Sequence, residues 1–409
     1  MRPLSYSRVV LKLLGYFLFQ LVKVLPRRKN VWLIRSHFGF ADNAKFLLYQ
    51  IREKHPEIQI VWMGKTLEEL SLARNLGFKA YHPSKSLKGI FYCLISRVYI
   101  CTREITDINV YLSGGAYFVN LWHGLGIKKM KWNNPKRYME TWHLKNEEEM
   151  KSSFWFKIDA FSELFRKPDC MITSSETQTK DFYIPTFNIG NSDFIKAIYP
   201  RNSVTIMSND ERWRLINKYE NKSIPFIERI SKYKKTYIYM PTYRNDGNDF
   251  IQSSGIRWNE LNEVMASIEA VFVVKLHPFT KINLDELKSF DNILIFPHDI
   301  DVYTVLPYID CLVTDYSSIY CDFLLSNKEV ILFPFDYKNY VNNCVELVDY
   351  DRVFPGYRVY CFDDLLNTIK TSRDCHLSDK DYQFILNNYW EYAFNNTDIV
   401  EEIKKRINL

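Results

Sequence analysis

Short apolar runs that alternate with helical patterns constrain the fold of this chain more than any other feature. Runs such as VWLI at 31–34 and VFVV at 271–274 are apolar at consecutive positions, not at alternate ones. Strands that are apolar on both faces belong to parallel sheets covered by helices on both sides. The pattern therefore predicts an α/β fold with strands at 31–35, 59–64, 95–102, 117–124, 236–244, 270–278, 292–297, 311–318 and 329–335. The segment 170–182 is interpreted as a further strand followed by a Ser/Thr cap and a helix.

The runs form two series, which predict two domains in a chain of 409 residues. Turn signals such as PRNS and SNDE place the boundary between residues 200 and 223. We assign 1–29 to an N-terminal helix, 30–207 to a first domain and 208–409 to a second. With 47% hydrophobic and 25% charged residues, the composition excludes a disordered chain, a fibrous repeat and a polytopic membrane protein.

The positive charge is concentrated at the N-terminus. The formal net charge is +6, but residues 1–30 hold seven of the 54 lysines and arginines and no acidic residue. The other 47 basic residues therefore nearly balance the 48 acidic ones. A body without a basic excess does not predict a nucleic-acid partner.

The N-terminal segment combines these charges with the most apolar stretch in the chain. Its longest uncharged run, 13–22, has ten residues, fewer than the roughly eighteen that a spanning helix needs. As a helix it would place Arg8, Lys12 and Lys23 on one side, with apolar side chains elsewhere and the basic residues 27–29 beyond it. This pattern is typical of an amphipathic helix lying on an anionic membrane surface. A helix docked against the protein's own body is the alternative.

The potential metal-binding residues form no recognisable site. The eight cysteines include no C-x-x-C pair, so we expect neither a disulfide framework nor a structural zinc. Asp299 and Asp301 form a D-x-D pair, but they precede a predicted helix and are interpreted as capping residues. We predict no metal ligand and no tightly bound cofactor, and leave a requirement for a divalent cation open.

Polar residues follow several of the predicted strands. Ligands of open parallel sheets bind at the carboxyl ends of the strands. The residues found there are His123, Thr242, Arg244, His277, Asp315, Ser317 and Ser318. Because they are spread over both halves of the chain, they predict a cleft between two domains.

The segment LWHGLGIKKM (121–130) has the chemistry of a proton-transfer site. A neutral imidazole at His123 could take a proton from an attacking hydroxyl. Gly124 and Gly126 would allow close approach of a substrate, and Lys128 and Lys129 would attract phosphate. A structural histidine in a turn is the alternative.

Two segments of the second half favour phosphate binding. His277, at a strand end, could donate to phosphate oxygens or to a leaving group, although it could equally be a capping residue. Ser317 and Ser318 would lie at a helix N-terminus, where unpaired N–H groups and the helix dipole attract anions. Asp322 lies one turn further along the same face, a pairing that an ordinary N-cap does not explain.

Taken together, these motifs resemble the CDP-glycerol glycerophosphotransferase family, whose members build teichoic acids and related capsular polymers. The motifs are WHG (122–124) with the two following lysines, MPTYR (240–244), KLHP (275–278), TDYSS (314–318) and PFD (334–336). The resemblance covers about residues 30–340 and implies a GT-B-like fold, with two Rossmann-like domains facing a cleft. It also implies transfer of a polyol phosphate, glycerol phosphate in the first instance, from a CDP-linked donor to an acceptor hydroxyl, with release of CMP. The acceptor would be a lipid-linked or polymer chain at the cytoplasmic face of the bacterial membrane.

The resemblance implies a role for each matching residue. It makes His123 the general base and His277 a catalytic contact to the pyrophosphate. Pro241 and Thr242 would contact the cytidine and ribose, Ser317 and Ser318 the phosphates, and Asp322 a sugar or polyol hydroxyl. Gly124 and Arg244 complete the set of predicted donor-binding residues.

One segment departs from the family pattern. Members commonly have a G-Y-P-R-N-D-like segment after the last N-terminal strand, where an arginine meets the donor phosphates. We align this segment with NIGNSDF (188–194), which has Asn191 in place of the arginine. Arg244 or Lys128 would then compensate, or the donor would differ. Lys128, Lys129 and Asn191 are accordingly candidate phosphate or acceptor contacts.

Three other functions remain open: a CDP-ribitol-dependent transferase, a GT-B glycosyltransferase with a nucleotide-sugar donor, and a non-catalytic scaffold on the membrane. The phosphate-directed histidine and serines favour phosphate transfer over sugar transfer. The presence of both His123 and His277 argues against a scaffold.

Overall fold

Both series of apolar runs form parallel sheets. The computed structural model describes residues 6–127, 139, 145–146, 148–149, 166–190, 193–244, 250–276, 280, 285–343 and 350–409. The chain divides into two units, the first made of Met1–Ser203 with Trp390–Leu409 and the second of Val204–Tyr389. The last twenty residues thus belong to the first unit, whereas the sequence analysis assigned them to the second domain.

The described part of the first unit contains a sheet of seven parallel strands in the order β3-β2-β1-β4-β5-β6-β7. The strands are β1 (Arg28–Arg35), β2 (Gln59–Met63), β3 (Lys79–Tyr81), β4 (Ser96–Cys101), β5 (Tyr117–Asn120), β6 (Cys170–Thr173) and β7 (Phe194–Lys196). The strand order reverses between β1 and β4, where Trp32 is in register with Val98. Such a reversal leaves a crevice at the carboxyl ends of the strands.

Helices follow the strands of the first unit, and side-chain caps mark the starts of α3 (Leu67–Asn75) and α4 (Leu87–Ile95), among others. Thr66 accepts a hydrogen bond from the N–H of Glu69, and Ser86 accepts one from Gly89. The helices are α1 (Tyr6–Val22), α2 (Asp42–Lys54), α3 (Leu67–Asn75), α4 (Leu87–Ile95), Ile184–Phe187, Ser203–Ile206 at the unit boundary and Ile399–Arg406, with a 3₁₀ turn at Ile105–Asp107 and a π turn at Gln178–Tyr183.

The N-terminal segment forms α1, which docks along one narrow edge. Phe19 and Val22 are buried, and a Cβ added to Gly15 would lie 2.4 Å from the Tyr111 ring. The remaining positions expose the large apolar side chains of Val10, Leu11, Leu13, Leu14, Tyr16, Phe17, Leu18 and Leu21. None of the helices in the described part of the chain is both long and apolar enough to cross a bilayer.

Arg27 corrects one expectation for this segment. Its guanidinium does not face outward to lipid but donates hydrogen bonds to the backbone carbonyls of Cys93, Ser96, Leu112 and Gly114, at 2.5–3.0 Å. These carbonyls lie at the end of α4 and in the loop before β5, where helix and sheet provide no donors. Arg27 therefore joins the α1–β1 connection to the body of the unit.

The described part of the second unit contains six parallel strands in the order β10-β9-β8-β11-β12-β13. The strands are β8 (Lys235–Tyr239), β9 (Ala270–Val274), β10 (Ile293–Ile295), β11 (Cys311–Thr314), β12 (Glu329–Leu332) and β13 (Tyr357–Arg358). Here the order reverses between β8 and β11, where Ile238 is in register with Leu312. Every residue of β9 is buried, as its continuous apolar sequence predicts.

Short helices connect the strands of the second unit. They are Asn209–Tyr219, Ile224–Ile230, Phe250–Ser253, Trp258–Ser267, Val302–Val305, Ile319–Leu324, Tyr337–Asn343, Tyr350–Val353, Phe362–Lys370 and Asp379–Tyr389, with 3₁₀ turns at Asn221–Ser223, Asp285–Ser289 and Leu306–Tyr308. Asp301 caps the helix Val302–Val305 through the N–H of Tyr303, which confirms its interpretation as a capping residue.

The C-terminal helix joins the first unit through hydrogen bonds at its two ends. Asp398 caps it and bonds His55 Nε2 at 3.0 Å. Arg406 donates to the carbonyl of Phe194 in β7 at 3.2 Å, and Lys29 donates to the carbonyl of Asn408 at 2.7 Å. These contacts explain why residues after 389 leave the second unit.

Candidate active site

The turn after β5 positions His123. Asn120, the last residue of β5, accepts a hydrogen bond from the N–H of Trp122 at 2.8 Å and donates to the carbonyl of Arg103 at 2.8 Å. Asn43 donates to the carbonyl of Trp122 at 2.9 Å. Trp122 has a φ of 54°, a left-handed conformation that costs free energy in a bulky residue. Three side-chain hydrogen bonds thus hold a strained turn with His123 at its end.

The His123 ring is oriented for proton transfer. Its Nδ1 lies 3.3 Å from the carbonyl oxygen of Thr102, so Nδ1–H donates and Nε2 keeps its lone pair. The ring packs against Trp122, with centroids 4.0 Å apart, and against the edge of Phe38. Burial lowers the pKa of His123 to about 4, the positive charge of Arg201 acts in the same direction, and the Thr102 carbonyl opposes both. The imidazole is therefore neutral at pH 7.

A buried ion pair supports the same turn. Arg201 Nη1 lies 2.7 Å from Asp42 Oδ1 and donates to the carbonyl of His123 at 2.8 Å. The N–H of Arg201 donates to Asn43 at 3.2 Å. Arg201 therefore links the start of α2 to the backbone of His123.

Arg201 also corrects the alignment made from the sequence. β7 spans Phe194–Lys196, so Asn191 precedes the last strand of the first sheet instead of following it. The segment after that strand carries the sequence YPRN at 199–202. The alignment with 188–194 was wrong, and the arginine that it seemed to lack is present at Arg201.

Gly124 and Gly126, the two glycines after His123, are required for different structural reasons. Gly124 has a φ of 141°, which side chains rarely tolerate. A Cβ at Gly126 would lie 2.0 Å from the Phe182 ring. Gln178 accepts a hydrogen bond from the N–H of Gly126 at 2.8 Å, so this glycine allows the loop to pack closely.

Four predicted site residues lie outside the described residues, and their roles stay predictions. They are Lys128, Lys129, Asn191 and His277.

In the second unit, Arg244 lies between two carboxylates at the carboxyl edge of the sheet. It bonds Asp315 at 2.8 Å and Asp336 at 2.8 and 3.0 Å, and it donates to the carbonyl of Thr242 at 2.6 Å. Burial by itself lowers the pKa of Arg244, but Asp315 and Asp336 raise it by more. The sequence analysis expected Arg244 to compensate for a missing phosphate contact, yet its guanidinium is already bonded to two carboxylates.

Pro241 and Thr242 lie between β8 and this ion cluster. Pro241 is buried, and the N–H of Thr242 donates to Asp315 at 2.8 Å. Within the described residues the buried hydroxyl of Thr242 has no hydrogen-bond partner. Because buried hydroxyls are normally paired, Thr242 Oγ1 is a candidate ligand contact.

Ser317 and Ser318 follow β11 on the other side of the sheet reversal. Both are half-buried, and Ser317 accepts a bond of 3.5 Å from the N–H of Ile319. The Ser318 side chain caps no N–H of the helix Ile319–Leu324. The predicted phosphate contacts therefore lie at the reversal point of the second sheet, as Thr242 does.

Asp322, the predicted contact to a sugar or polyol hydroxyl, lies inside the second unit. It is 2% exposed and accepts a hydrogen bond of 2.6 Å from Tyr303 Oη. Every residue of the helix Ile319–Leu324 is buried, so Asp322 points into the unit. This carboxylate therefore packs within the unit, and its predicted contact with a sugar or polyol hydroxyl stays a prediction.

A cavity of about 850 Å³ lies beside the ends of β9 and β10. Its lining includes the apolar side chains Leu287 and Phe296 and the polar side chains Lys275, Thr280 and His298. Burial lowers the pKa of Lys275, whose Nζ lies 5.6 Å from the Phe296 ring centroid. Within the described part, the buried hydroxyl of Thr280 has no partner. Apolar walls with a few unpaired polar groups are typical of small-molecule sites.

Two groups of side chains among the described residues could hold a metal ion, and neither contains a predicted site residue. One comprises His55, Glu57 and Glu401, and the other Glu329, Asp374 and His376. Several of these carboxylates already pair with lysines, as Glu57 does with Lys404.

Sequence reasoning missed Asn43, Arg201 and Asp336. Asp336 had a signal, because it follows β12 in PFD, whereas Asn43 lies within α2 and Arg201 follows β7, a strand that the sequence did not reveal. Polar residues just beyond strand ends were the criterion that identified His123.

Comparisons of the sequence identify the family. Residues 16–405 match the family described as CDP-Glycerol:Poly(glycerophosphate) glycerophosphotransferase. The chain is 24% identical over 353 residues to a teichoic acid glycerol-phosphate transferase of Staphylococcus aureus, covering 83% of each chain. It is 22% identical over 380 residues to a teichoic acid poly(glycerol phosphate) polymerase of Bacillus subtilis, covering 90% of this chain and 46% of the relative. The chain thus spans about half the length of that polymerase.

A structural comparison agrees with the fold. The wall teichoic acid polymerase TagF superposes with a TM-score of 0.68 at 16% identity, covering 98% of this chain and 96% of TagF. This likeness confirms the GT-B-like α/β class that the sequence predicted.

Proposed function

The chain belongs to the CDP-glycerol:poly(glycerophosphate) glycerophosphotransferase family, and we propose that it transfers glycerol phosphate from CDP-glycerol to a hydroxyl of a teichoic-acid-like acceptor, with release of CMP. It is an enzyme of this family, a phosphate-group transferase. The donor, the acceptor and the residue roles described next are parts of the proposal.

The orientation of His123 is the observation that carries the proposal. With Nδ1–H bonded to the Thr102 carbonyl, Nε2 can accept the proton of an acceptor hydroxyl. The hydroxyl oxygen then bonds to the phosphorus that bears glycerol, and the bond from that phosphorus to the bridging oxygen breaks. CMP leaves with the bridging oxygen, so the proton ends on His123 and no covalent enzyme intermediate forms.

The second unit offers the groups that a CDP-linked donor needs. Thr242 Oγ1 is unpaired among the described residues, and Ser317 and Ser318 flank the same sheet reversal. The cavity near Lys275 and Phe296 has apolar walls and enough volume for a nucleoside. We place the phosphates at the serines and the cytidine in this cavity, with His277 as a predicted contact to the pyrophosphate.

Product analysis with labelled donors tests the proposal. CDP-glycerol, CDP-ribitol and a UDP-sugar are each incubated with the full chain and an acceptor, and the released nucleotide is identified. We expect CMP from CDP-glycerol and incorporation of one phosphate per CMP. Faster turnover of CDP-ribitol would show that the donor carries ribitol and not glycerol. Release of UDP from the UDP-sugar would show that the enzyme transfers a sugar and not a phosphate group.

Matched variants connect that activity to the site. His123→Ala should abolish CMP release, whereas His376→Ala, which changes an exposed histidine of the second unit, should not. If both variants were equally active, His123 would not be the general base.

We further propose that α1 lies on the anionic cytoplasmic face of the membrane. Leu11, Leu14 and Phe17 are 66%, 60% and 62% exposed, an unusual apolar surface for a helix in water. Lys12 and Lys23 provide positive charge on the same helix and just beyond its end. An amphipathic helix of this kind binds by burying apolar side chains and attracting anionic lipids.

Flotation with vesicles tests this location. The full chain should float with vesicles of phosphatidylglycerol and phosphatidylcholine, more weakly as salt rises, and poorly with phosphatidylcholine alone. A variant with Leu14→Ser and Phe17→Ser should stay at the bottom. The control Leu67→Ser with Leu87→Ser removes two other exposed leucines and should still float. If the full chain does not float with anionic vesicles, α1 only docks on the protein.

A further inference from the structure

We propose that Arg103, held in place by His37, binds a phosphodiester of the acceptor next to the hydroxyl that His123 activates. The proposal rests on the proposed function and specifies the acceptor class: a chain that already ends in a polyol phosphate. The enzyme would then extend chains and not start them on a neutral sugar.

The sheet places these residues together. β1 and β4 flank the reversal of strand order in the first unit, and β5 is the next strand. His37, Arg103 and His123 lie two or three residues beyond the ends of these three strands. Neighbouring strands are about 4.8 Å apart, so the three residues lie along one edge, at the crevice where parallel sheets bind ligands.

A chain of hydrogen bonds anchors Arg103. Asp107, which is buried, lies 2.9 Å from Nδ1 of His37, and Arg103 Nη1 lies 2.9 Å from Nε2 of the same ring. Since the arginine can only donate, Nε2 accepts and Nδ1–H donates to Asp107. The N–H of His37 also donates to Thr102 Oγ1 at 2.9 Å. The guanidinium is thereby directed by a neutral imidazole and not neutralised by a direct carboxylate contact.

Arg103 differs from the arginines that hold the fold. Arg27 makes five hydrogen bonds to backbone carbonyls, and Arg244 bonds two carboxylates. The side chain of Arg103 is exposed and, in the described part of the chain, makes only its bond to His37. Its remaining N–H groups form the planar fork that recognises phosphate.

Arg103 is also coupled to the base. Its backbone carbonyl accepts from Asn120, and the preceding carbonyl, of Thr102, orients His123. The Phe38 ring packs edge-on against both His37 and His123. Burial is the largest cause that lowers the pKa of His123, and the positive charges of Arg201 and Arg103 add to it. A phosphodiester on Arg103 would offset part of this positive charge and strengthen the base when the acceptor is bound.

Kinetics with two acceptors test the proposal. One soluble acceptor ends in a glycerol phosphodiester, and the other carries the same glycerol through a neutral ether. Arg103→Gln should lower kcat/KM for the phosphodiester acceptor about 10- to 100-fold, mainly through KM, since hydrogen bonds to charged groups contribute about 1.5–3 kcal/mol. The neutral acceptor and the KM for CDP-glycerol should be unaffected, and Arg103→Lys should retain part of the preference.

The control is Arg97→Gln. Arg97 lies near the opposite end of β4 and donates to the carbonyl of Gly115, so its loss should leave both acceptors unaffected. Equal losses for both acceptors with Arg103→Gln would show that Arg103 only orients His123, and no loss would place the phosphate elsewhere; either result overturns the proposal.

A binding measurement separates this proposal from the proposed function. Calorimetry with glycerophosphoglycerol should detect binding to the full chain and to Arg97→Gln but not to Arg103→Gln. If CDP-glycerol yields no CMP while this pattern holds, the transferase proposal fails and the subsite stands. If Arg103→Gln binds as the full chain does, or if the full chain does not bind, the subsite is refuted.

Discussion

Single side chains at the strand ends of this protein act on the backbone as much as on a substrate. Asn120, Asn43 and Arg201 all bond the turn that carries His123, and none of them is near it in sequence except Asn120. Because the turn contains a left-handed tryptophan, its geometry depends on these bonds. The position of His123 is therefore set by the surrounding hydrogen bonds.

His123→Ala should lower kcat about 10²–10⁴-fold and leave the KM for the donor nearly unchanged, since a general base acts in the transition state. Steady-state rates of CMP release measure both quantities. A loss expressed in the donor KM alone would make His123 a binding residue.

The pH dependence provides a second measurement. Because the pKa of His123 is lowered to about 4, the base stays neutral as pH falls from about 8 to about 5.5, so kcat/KM should be constant there and decline only near pH 4. If the pKa of His123 had the ordinary value of about 6.5, kcat/KM would fall by half as the pH dropped to about 6.5. An inflection near pH 6.5 would contradict the burial of the ring.

Arg244→Met should lower the free energy of unfolding of the second unit by about 3–5 kcal/mol, because Asp315 would be left buried without its cation. Denaturant unfolding followed by hydrogen exchange in β8 and β11 measures the effect. The control Arg257→Met removes an exposed partner of Glu260 and should leave the stability nearly unchanged. If Arg244→Met were as stable as the unmodified chain but bound the donor more weakly, Arg244 would be a phosphate contact and not a structural residue.

At the scale of elements, α1 is joined to the first unit by close backbone packing. A Cβ at Gly114 would lie 2.2 Å from the carbonyl oxygen of Phe19, so the loop before β5 needs glycine to let the helix approach. Arg27 then ties the following connection to four carbonyls. A helix can thus be anchored to the protein and still present its apolar face outward.

Arg27→Gln should weaken this anchoring, because several carbonyls would lose their donor at a cost of about 1–3 kcal/mol. Hydrogen exchange of residues 10–25 should accelerate, while exchange in the second unit stays the same. Arg28→Gln, at the neighbouring exposed position, is the control and should exchange like the unmodified chain. Equal acceleration in both variants would show that charge, not hydrogen bonding, holds α1.

At the scale of the whole molecule, the first unit is discontinuous in sequence and the second is continuous. Trp390 is 1% exposed, and its ring centroid lies 5.8 Å from that of Tyr199 in the first unit. Tyr392 donates to Glu176 at 3.1 Å, and the C-terminal helix bonds α2 and β7 through His55 and Phe194. Residues 390–409 therefore contribute to the core of the first unit through Trp390 and contact its edge strand β7 through the C-terminal helix.

A chain truncated after Tyr389 should lose more than about 3 kcal/mol of stability in the first unit, since removal of a buried tryptophan alone costs about that much. Faster hydrogen exchange in α2 and β7, with unchanged exchange in β8 and β11, would report the loss. The fragment 204–389 should unfold cooperatively by itself. Equal destabilisation of both units would contradict the division.

The sequence alone determined the parallel α/β class and the strands with continuous apolar runs, because burial on both faces leaves no other pattern. It also placed His123, Thr242, Ser317 and Ser318 just beyond the ends of strands, where the structure has them, since polar residues after apolar runs are conspicuous. β3, β7 and β13 escaped prediction because each has only two or three residues, one of them charged, and so lacks the apolar run that identified the equally short β10. Missing β7 caused the misplaced alignment at Asn191.

Only the tertiary structure decided what each charge does. Arg244 meets partners 71 and 92 residues away, Arg201 meets Asp42 across 159 residues, and Arg27 meets carbonyls 66 to 87 residues away. No local pattern records such distances, because the sheet order brings distant strand ends together. The sequence does not distinguish an arginine that pairs with a buried carboxylate from an arginine whose guanidinium is exposed to a ligand. Burial and long-range partners, which only the structure shows, distinguish the two kinds of arginine.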